Sequence, residues 1–420
     1  MKVWIVNHYA IPPAFGGLSR HYYFSNILKK HGVETRIFSS SKIHNTDLNF
    51  IEDGNLYLEN LCDEVEYTFI KTSNYKGNGL ARIFSFIQFP LNTLRTLRQF
   101  YKKEKPDVIY ASSPELVATG MAILFARKRK IPTIVEIRDL WPESIVEYTS
   151  ISRNNPIIKI LYGLERWIYT KADRIIFTFE GGADYIKSKG WDTSSGGKID
   201  LDKVRYINNG VDLERFEYDK KNNIIEDEEL DRKDTFKVVY TGSVRRVNCV
   251  WMLVEAAKKL HEDGIEDVSF IIYGDGTEKE ELILECEKHG LNNVHFRSRV
   301  EKKYVASILE RADLNIFVGE PDSLNQYGLS LNKLFDYMAS GKPILSNIKA
   351  NYDNILKYNC GVVVEDDSIT PIYEGILKIK ALSQDEYKTY CENAKTAARD
   401  FDFEKLTSKL YEIMKEVKEE

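Results

Sequence analysis

The chain contains no uncharged apolar run of the roughly 18 residues that a membrane-spanning helix needs. Its longest apolar stretch, Leu80 to Phe100, is broken by Arg82, Arg95 and Arg98. Nothing resembles a secretory leader: Met1-Lys2 leads straight into Val3–Val6, which reads as a first core strand. Cysteine is scarce, five in 420 residues, with no Cys-x-x-Cys and an odd total. That excludes a disulfide scaffold and points to a reducing, cytoplasmic compartment. Walker A, GxSxG and HExxH signatures are absent, as is C2H2 zinc spacing, so no metal is implied. Neither half contains GxGxxG, which argues against an NAD(P) enzyme. The seven His are scattered.

What is present is ordinary soluble material, 43% hydrophobic and 29% charged, enough to fill two or three cores at about 100–200 residues per domain. The net charge of −5 hides an asymmetry. Residues 1–200 hold 27 Lys and Arg against 21 Asp and Glu, whereas residues 201–420 hold 32 against 43. The first half suits an anionic partner, and the second is a poor match for nucleic acid, so none is expected.

Short apolar runs alternate with helical periods, the rhythm of βαβ units and a parallel sheet. Strands are expected at 3–6, 35–39, 108–110, 133–137, 174–178 and 204–207, with helices at 19–30 and 157–171. The charged segment Phe216 to Thr235 reads as a crossover between domains. The rhythm then restarts, with strands at 237–241, 268–273, 294–296, 314–318, 343–346 and 362–364. Helices are expected at 250–260, 278–289, 302–310 and 332–339, and a last one from Phe403. The pattern predicts two Rossmann-like α/β domains, residues 1–210 and 211–400, and a C-terminal helix, 401–420, that could return to the first domain.

Several stretches could carry chemistry. Gly16-Gly17 lies between the first strand and first helix, where glycine admits a phosphate or simply makes a tight turn. Glu136-Ile137-Arg138-Asp139-Leu140-Trp141-Pro142-Glu143 leaves a strand at its carboxyl end, where open α/β sheets collect ligands. Arg138 and Asp139 could serve a site or pair with each other. Gly242-Ser243-Val244-Arg245-Arg246-Val247-Asn248 repeats the strand-to-glycine pattern with a guanidinium able to fork a phosphate. Gly274-Asp275-Gly276 could approach a ligand or be a turn, and Arg299 follows the next strand. The densest stretch runs from Gly319-Glu320 through Ser330 and Asn332-Lys333 to Asp336 and Pro343. Asn332 reads as an N-cap. Lys333 in the first helical turn opposes the macrodipole, a cost that a bound anion would offset. Asp336, three residues on, either pairs with Lys333 or offers its carboxylate to sugar hydroxyls.

These strings together resemble the retaining glycosyltransferases of family 4, with the GT-B fold. The likeness includes Asn208-Asn209-Gly210-Val211-Asp212 and the long run from Asn332 to Pro343. It is similar to the bacterial surface-polysaccharide subgroup typified by the N-acetyl-fucosamine transferase of O-antigen synthesis. The resemblance implies a UDP-sugar donor, carrying an N-acetylated hexosamine or deoxyhexosamine, on the second domain, a lipid-linked acceptor on the first, and reaction in the cleft between. Lys333 would hold the diphosphate, and Arg245 would join it or replace the basic residue that many relatives carry at the Asn248 position. Gly16-Gly17 would approach the phosphates, and Arg138-Asp139 would face sugar and acceptor. Asp336 matches the second acid of the E-x7-E element, whereas Gly328 stands at the first, and Glu320 upstream could cover part of that role. Gly242, Ser243, Gly274, Asp275, Arg299 and Ser330 would complete the donor site. No metal is required by that scheme.

Two other expectations follow. Residues 76–130 hold 11 Lys and Arg against 3 Asp and Glu, interleaved with Phe84, Phe86, Ile87, Phe89, Leu91, Leu94 and Leu97. That suits either an anionic membrane face and a polyprenyl-diphosphate acceptor or simple core packing. A GT-B nucleotide-sugar 2-epimerase, or a non-catalytic nucleotide-sugar-binding subunit, would share the fold.

Overall fold

A computed structural model describes the chain except residues 17–18, 44–45, 75–79, 365–368 and 420, and the side chains of 80–83. Gly17 and the Arg82 side chain therefore lie outside the described residues. The chain forms two compact units, Met1–Asn208 with Phe403–Glu420, and Asn209–Asp402.

Unit 1 begins with β1 (Lys2–Val6), α1 (Arg20–Lys30), β2 (Glu34–Ser40), β3 (Tyr57–Cys62), β4 (Val65–Ile70) and α2 (Leu80–Lys103). It continues with β5 (Val108–Ser112), α3 (Leu116–Arg127), β6 (Thr133–Ile137), α4 (Glu143–Tyr148), α5 (Pro156–Lys171), β7 (Arg174–Phe177), α6 (Gly182–Ser188) and β8 (Val204–Tyr206). Its sheet runs β3-β4-β2-β1-β5-β6-β7-β8. All neighbours are parallel but β3, which pairs antiparallel with β4. Val3, Ile5 and Ile37 face α1 on one side, while Trp4, Val6 and Ile109 face α2 and α3 on the other. Such double coverage is why the strands read as continuous apolar runs.

Unit 2 comprises α7 (Leu213–Asn222), α8 (Glu228–Asp231), β9 (Phe236–Thr241), α9 (Trp251–Glu262), β10 (Val268–Tyr273), α10 (Lys279–Lys288), β11 (Val294–Arg297) and α11 (Lys302–Glu310). Then come β12 (Leu314–Phe317), α12 (Asn332–Ser340), β13 (Ile344–Ser346), α13 (Asn354–Tyr358), β14 (Gly361–Val363), α14 (Ile369–Lys380) and α15 (Gln384–Asp400). Its six strands are parallel in the order β11-β10-β9-β12-β13-β14. The last helix, α16 (Phe403–Glu419), packs through Phe403, Leu406 and Leu410 into the α1 side of unit 1.

Two expectations are corrected. The segment Phe216 to Thr235 is not a crossover: α7 and α8 fold onto unit 2, with Phe216 and Leu230 buried in its core. The division falls after Asn208, because Asn209 already donates from Nδ2 to the Ser330 carbonyl, 2.8 Å away in unit 2. Asn332 is not the cap of its helix. Leu331 takes that place, and its side chain makes no capping hydrogen bond.

Candidate functional site

Both sheets reverse strand order beside their first strand, and at such switch points the loops part and leave a crevice at the carboxyl edge. In unit 2 the reversal lies between β9 and β12. The loop after β9 begins at Gly242, whose φ of +155° favours glycine. A Cβ there would stand 2.8 Å from Lys333 Nζ and 2.8 Å from the Tyr240 hydroxyl. Glycine thus makes room for the lysine. Gly274 does the same for the backbone, since its Cβ would meet the Gly242 carbonyl at 1.7 Å.

Lys333 sits in the first turn of α12, where the cap residue Leu331 offers no side-chain acceptor. Its ammonium donates to the Tyr240 hydroxyl at 3.1 Å and lies 4.3 Å from that ring's centroid. Tyr240 in turn donates to the Ser243 carbonyl at 2.9 Å. No carboxylate lies within ion-pair distance of Lys333 among the described residues, and loss of hydration lowers its pKa to about 8. Asp336 does not pair with it. That carboxylate takes Lys302 of α11 instead.

Around this cation the loop residues have defined work. Asn248 Nδ2 donates to Ser243 Oγ at 2.8 Å and closes the loop. Val244 N–H donates to the Asp275 carbonyl at 3.0 Å, joining the two glycine loops. Asp275 accepts from Lys279 Nζ at 2.8 Å and the Arg299 amide at 2.9 Å, and these hold its pKa below the usual carboxylate range. Arg245 and Arg246 are exposed and carry no ion pair among the described residues. Glu320 is exposed just beyond β12. Gly328 has φ +105°, a backbone that a glutamate would enter only under strain.

In unit 1 the switch point lies between β1 and β5, and its crevice is occupied by the unit's own side chains. Asn7 Nδ2 reaches the Ser112 hydroxyl at 2.9 Å and the Ser113 carbonyl at 3.2 Å. His8 Nδ1 meets Glu115 Oε2 at 2.5 Å, both buried. Next to them, on β6, Glu136 is fully buried. It accepts from Arg20 Nε at 2.8 Å, Tyr110 at 2.5 Å, Ser112 at 2.7 Å and His21 Nε2 at 3.1 Å. Burial opposes its ionisation, but the Arg20 charge and the His21 hydrogen bond hold its pKa well below normal. Burial lowers the His21 pKa, so that ring is neutral. Arg20 also donates to the Asn208 carbonyl and, at 2.7 Å, to the Ile207 carbonyl.

This cluster anchors the strand that emits Arg138-Asp139. The Arg138 amide donates to Ser113 Oγ at 2.9 Å, while Arg138 and Asp139 form no ion pair with each other. Gly16 lies in the loop before α1, at φ +147°. Sequence reading overlooked Arg20, His21, Tyr110 and His8. The available signal was a lone carboxylate, Glu136, inside an apolar strand, which demands a partner. Among the described residues no group of His, Cys, Asp and Glu could hold a metal ion, all five cysteines are unpaired, and no helix is long and apolar enough to cross a membrane.

Comparison with known proteins finds two family models that match parts of the chain. "Glycosyl transferases group 1" matches residues 221–399, and "Glycosyl transferase 4-like domain" matches residues 78–195. Sucrose-phosphate synthase from Thermosynechococcus elongatus superposes with a TM-score of 0.71 at 14% identity, covering 99% of this chain and 98% of that one. HepE of Anabaena, solved in complex with UDP, gives 0.68 at 14% identity over 99% and 100%. WaaG, a glycosyltransferase involved in lipopolysaccharide biosynthesis, gives 0.66 at 16% identity over 98% and 99%. No curated protein matches the chain by sequence.

Proposed function

We propose that the chain, which has the GT-B fold of its structural neighbours and matches glycosyltransferase models over residues 221–399 and 78–195, moves a sugar from a UDP-sugar to a lipid-linked saccharide, retaining the anomeric configuration. The carrying observation is Lys333: a half-buried cation without a counter-charge among the described residues, at the unit 2 switch point, beside a helix N-terminus and a loop that glycine keeps open. A nucleoside diphosphate supplies the missing anion. The UDP bound by HepE supports uracil as the base, and the role of WaaG in lipopolysaccharide synthesis supports a lipid-linked acceptor. The transferred sugar is an N-acetylated hexosamine or deoxyhexosamine on this reading, and the process is surface-polysaccharide assembly.

The chemistry follows from charge. As the C1–O bond lengthens, negative charge grows on the departing β-phosphate oxygen. Lys333, the amides at the α12 N-terminus and Arg245 stabilise that charge more in the transition state than in the ground state. The two side-chain cations take the part that a divalent ion plays elsewhere, so activity is expected to persist in a chelator. The departing phosphate accepts the acceptor hydroxyl's proton on the face it leaves. Asp336 would bind ribose hydroxyls after releasing Lys302, and Gly242, Ser243, Gly274 and Ser330 frame the pyrophosphate. Arg138, Asp139 and Gly16 belong to the acceptor side.

Calorimetric titration with UDP, GDP and their sugar conjugates tests this reading. Binding of UDP and one UDP-sugar, weakened by Lys333→Ala, is the expected result. UDP binding without turnover on any lipid-linked acceptor would favour a non-catalytic binding subunit, the reading that Gly328 in place of an acid supports. No binding of either nucleotide series would overturn the donor site.

A further inference from the structure

The crevice of unit 2 opens because two strands part while each keeps its other neighbour. β9 pairs with β12 only at Val238 and Val239, opposite Leu314 and Asn315. Beyond that point β9 stays on β10 as far as Thr241, and β12 stays on β13 as far as Phe317. Along a strand, alternate residues turn their backbone groups to opposite neighbours. The Gly242 amide turns toward β10, 3.0 Å from the Tyr273 carbonyl, and the Asn315 amide turns toward the β13 side, 3.0 Å from the Pro343 carbonyl. The Thr241 amide and the Ile316 carbonyl therefore face the open seam, and both need a partner there. Tyr337 supplies it. The side chain is fully buried. Its hydroxyl accepts from the Thr241 amide at 3.0 Å and donates to the Ile316 carbonyl at 3.3 Å. Tyr337 lies one helical turn after Lys333, so this wedge also fixes the start of α12 against the seam.

Lys333 uses the seam to change sides. Val239, Phe335 and Tyr337 belong to the core on one face of the sheet, and Val238 and Tyr240 to the core on the other. The lysine leaves the first face with α12, yet its ammonium meets the hydroxyl and ring of Tyr240. Gly242 stands beside that contact and has no Cβ to block it. Tyr240 is fully buried, and burial holds its pKa well above the ordinary value, so the hydroxyl keeps its proton. That proton goes to the Ser243 carbonyl at 2.9 Å. The oxygen is then left to accept from the ammonium, at 3.1 Å. One hydroxyl thereby ties the lysine to the loop that carries Arg245. The acids of the crevice are engaged elsewhere, Asp336 with Lys302 and Asp275 with Lys279, while Arg245, Arg246 and Glu320 are exposed.

We propose that Tyr240 is a positioning residue of the donor site: its ring and hydroxyl hold the Lys333 ammonium in the seam between β9 and β12, fixed relative to the loop from Gly242 to Asn248. Tyr240 acts through Lys333 and the Ser243 carbonyl rather than by touching phosphate. The inference rests on the diphosphate reading of Lys333 and adds what holds that cation in place before a donor arrives. Tyr337 is the contrasting case, a tyrosine of the same seam whose hydroxyl bonds Thr241 and Ile316.

Calorimetric titration of the full chain with UDP, on both sides of the Lys333 pKa of about 8, tests the proposal. Tyr240→Phe keeps the ring and removes the acceptor. Loss of a hydrogen bond to a charged group should carry the fall in UDP affinity about one pH unit lower. At pH 8 that shift is roughly a fivefold loss of affinity. Tyr337→Phe should lower the thermal unfolding midpoint and leave the pH profile where the parent has it. A Tyr240→Phe profile at the parental position, with or without weaker binding, would overturn the proposal, since Tyr240 would then be packing alone. So would an equal shift in Tyr337→Phe, because the profile would then follow the looseness of the seam. Should Tyr337→Phe fail to fold, the parent and Tyr240→Phe decide between them. A parent chain that binds no UDP would sink the donor reading and this inference with it. A parent whose affinity falls above pH 8 keeps the donor reading whatever Tyr240→Phe does.

Discussion

The two units use the same device and differ in what fills it. Each parallel sheet opens a crevice where strand order reverses, between β1 and β5 in unit 1 and between β9 and β12 in unit 2. In unit 1 the crevice and its border are closed by Asn7, the His8–Glu115 pair and the Arg20–Glu136–His21 cluster. Every strong charge there has its counterpart within hydrogen-bond reach. In unit 2 the ammonium of Lys333 finds, among the described residues, only a phenol hydroxyl and the face of its ring. A satisfied buried charge holds a fold together, whereas an unsatisfied one is poised for a ligand of opposite sign.

Removing one cation from each unit breaks the comparison most sharply. Arg20→Met keeps the bulk but leaves Glu136 buried beside a neutral histidine. The expected cost is about 3–5 kcal/mol, the usual loss when one partner of a buried pair is deleted. Thermal unfolding should begin about 10 °C lower for a unit of this size, while the folded fraction binds UDP normally. An unchanged midpoint would show that the cluster does not hold β6 and its loop.

Lys333→Met should behave in the opposite way. Removal of a half-buried ammonium that has no counter-charge among the described residues leaves the midpoint unchanged or raised, because the desolvation relieved offsets the loss of its contact with Tyr240. Turnover should fall by roughly 10²-fold or more, the range for a transition-state donor. Arg245→Ala, at an exposed position, should give a similar loss of turnover with no change in stability. Near-normal turnover in either variant removes that residue from the chemistry.

Much of this was legible in the sequence, for reasons that particular residues make plain. Strands such as Thr133–Ile137 and Val268–Tyr273 are covered on both faces, so they appear as apolar runs between turns, and both stand where expected. The β3 edge strand was missed because four of its six positions, Leu58 and Leu61 among them, are exposed, so no apolar alternation marks it. Helix α2 was obscured by Pro90, which ordinarily ends a helix but here lies inside one. The Lys333 environment was half legible. Its place in the first turn of α12 could be read, but the Tyr240 contact joins residues 93 apart. The Arg20–Glu136 bond spans 116 residues, and no local pattern carries that information. Asn332 shows the limit of cap rules, because Leu331 occupies the capping position on backbone geometry alone.

The smallest effect lies in pH. The Lys333 pKa falls from 10.5 to about 8 because burial strips water from the ammonium. The folded state therefore holds this proton less firmly than the unfolded chain. Its presence costs stability below about pH 8, and the cost fades as pH rises toward 10.5. Binding runs the other way, since a diphosphate needs the charged form. UDP affinity should hold near pH 7 and fall above pH 8, approaching but not exceeding tenfold per unit. Titration in two buffers of different ionisation enthalpy should reveal proton uptake on binding near pH 8. Lys333→Met should bind weakly with a flat profile over the same range. A parental profile that is equally flat would mean that the ammonium meets no phosphate, and the contrast between the two crevices would then lie in packing alone.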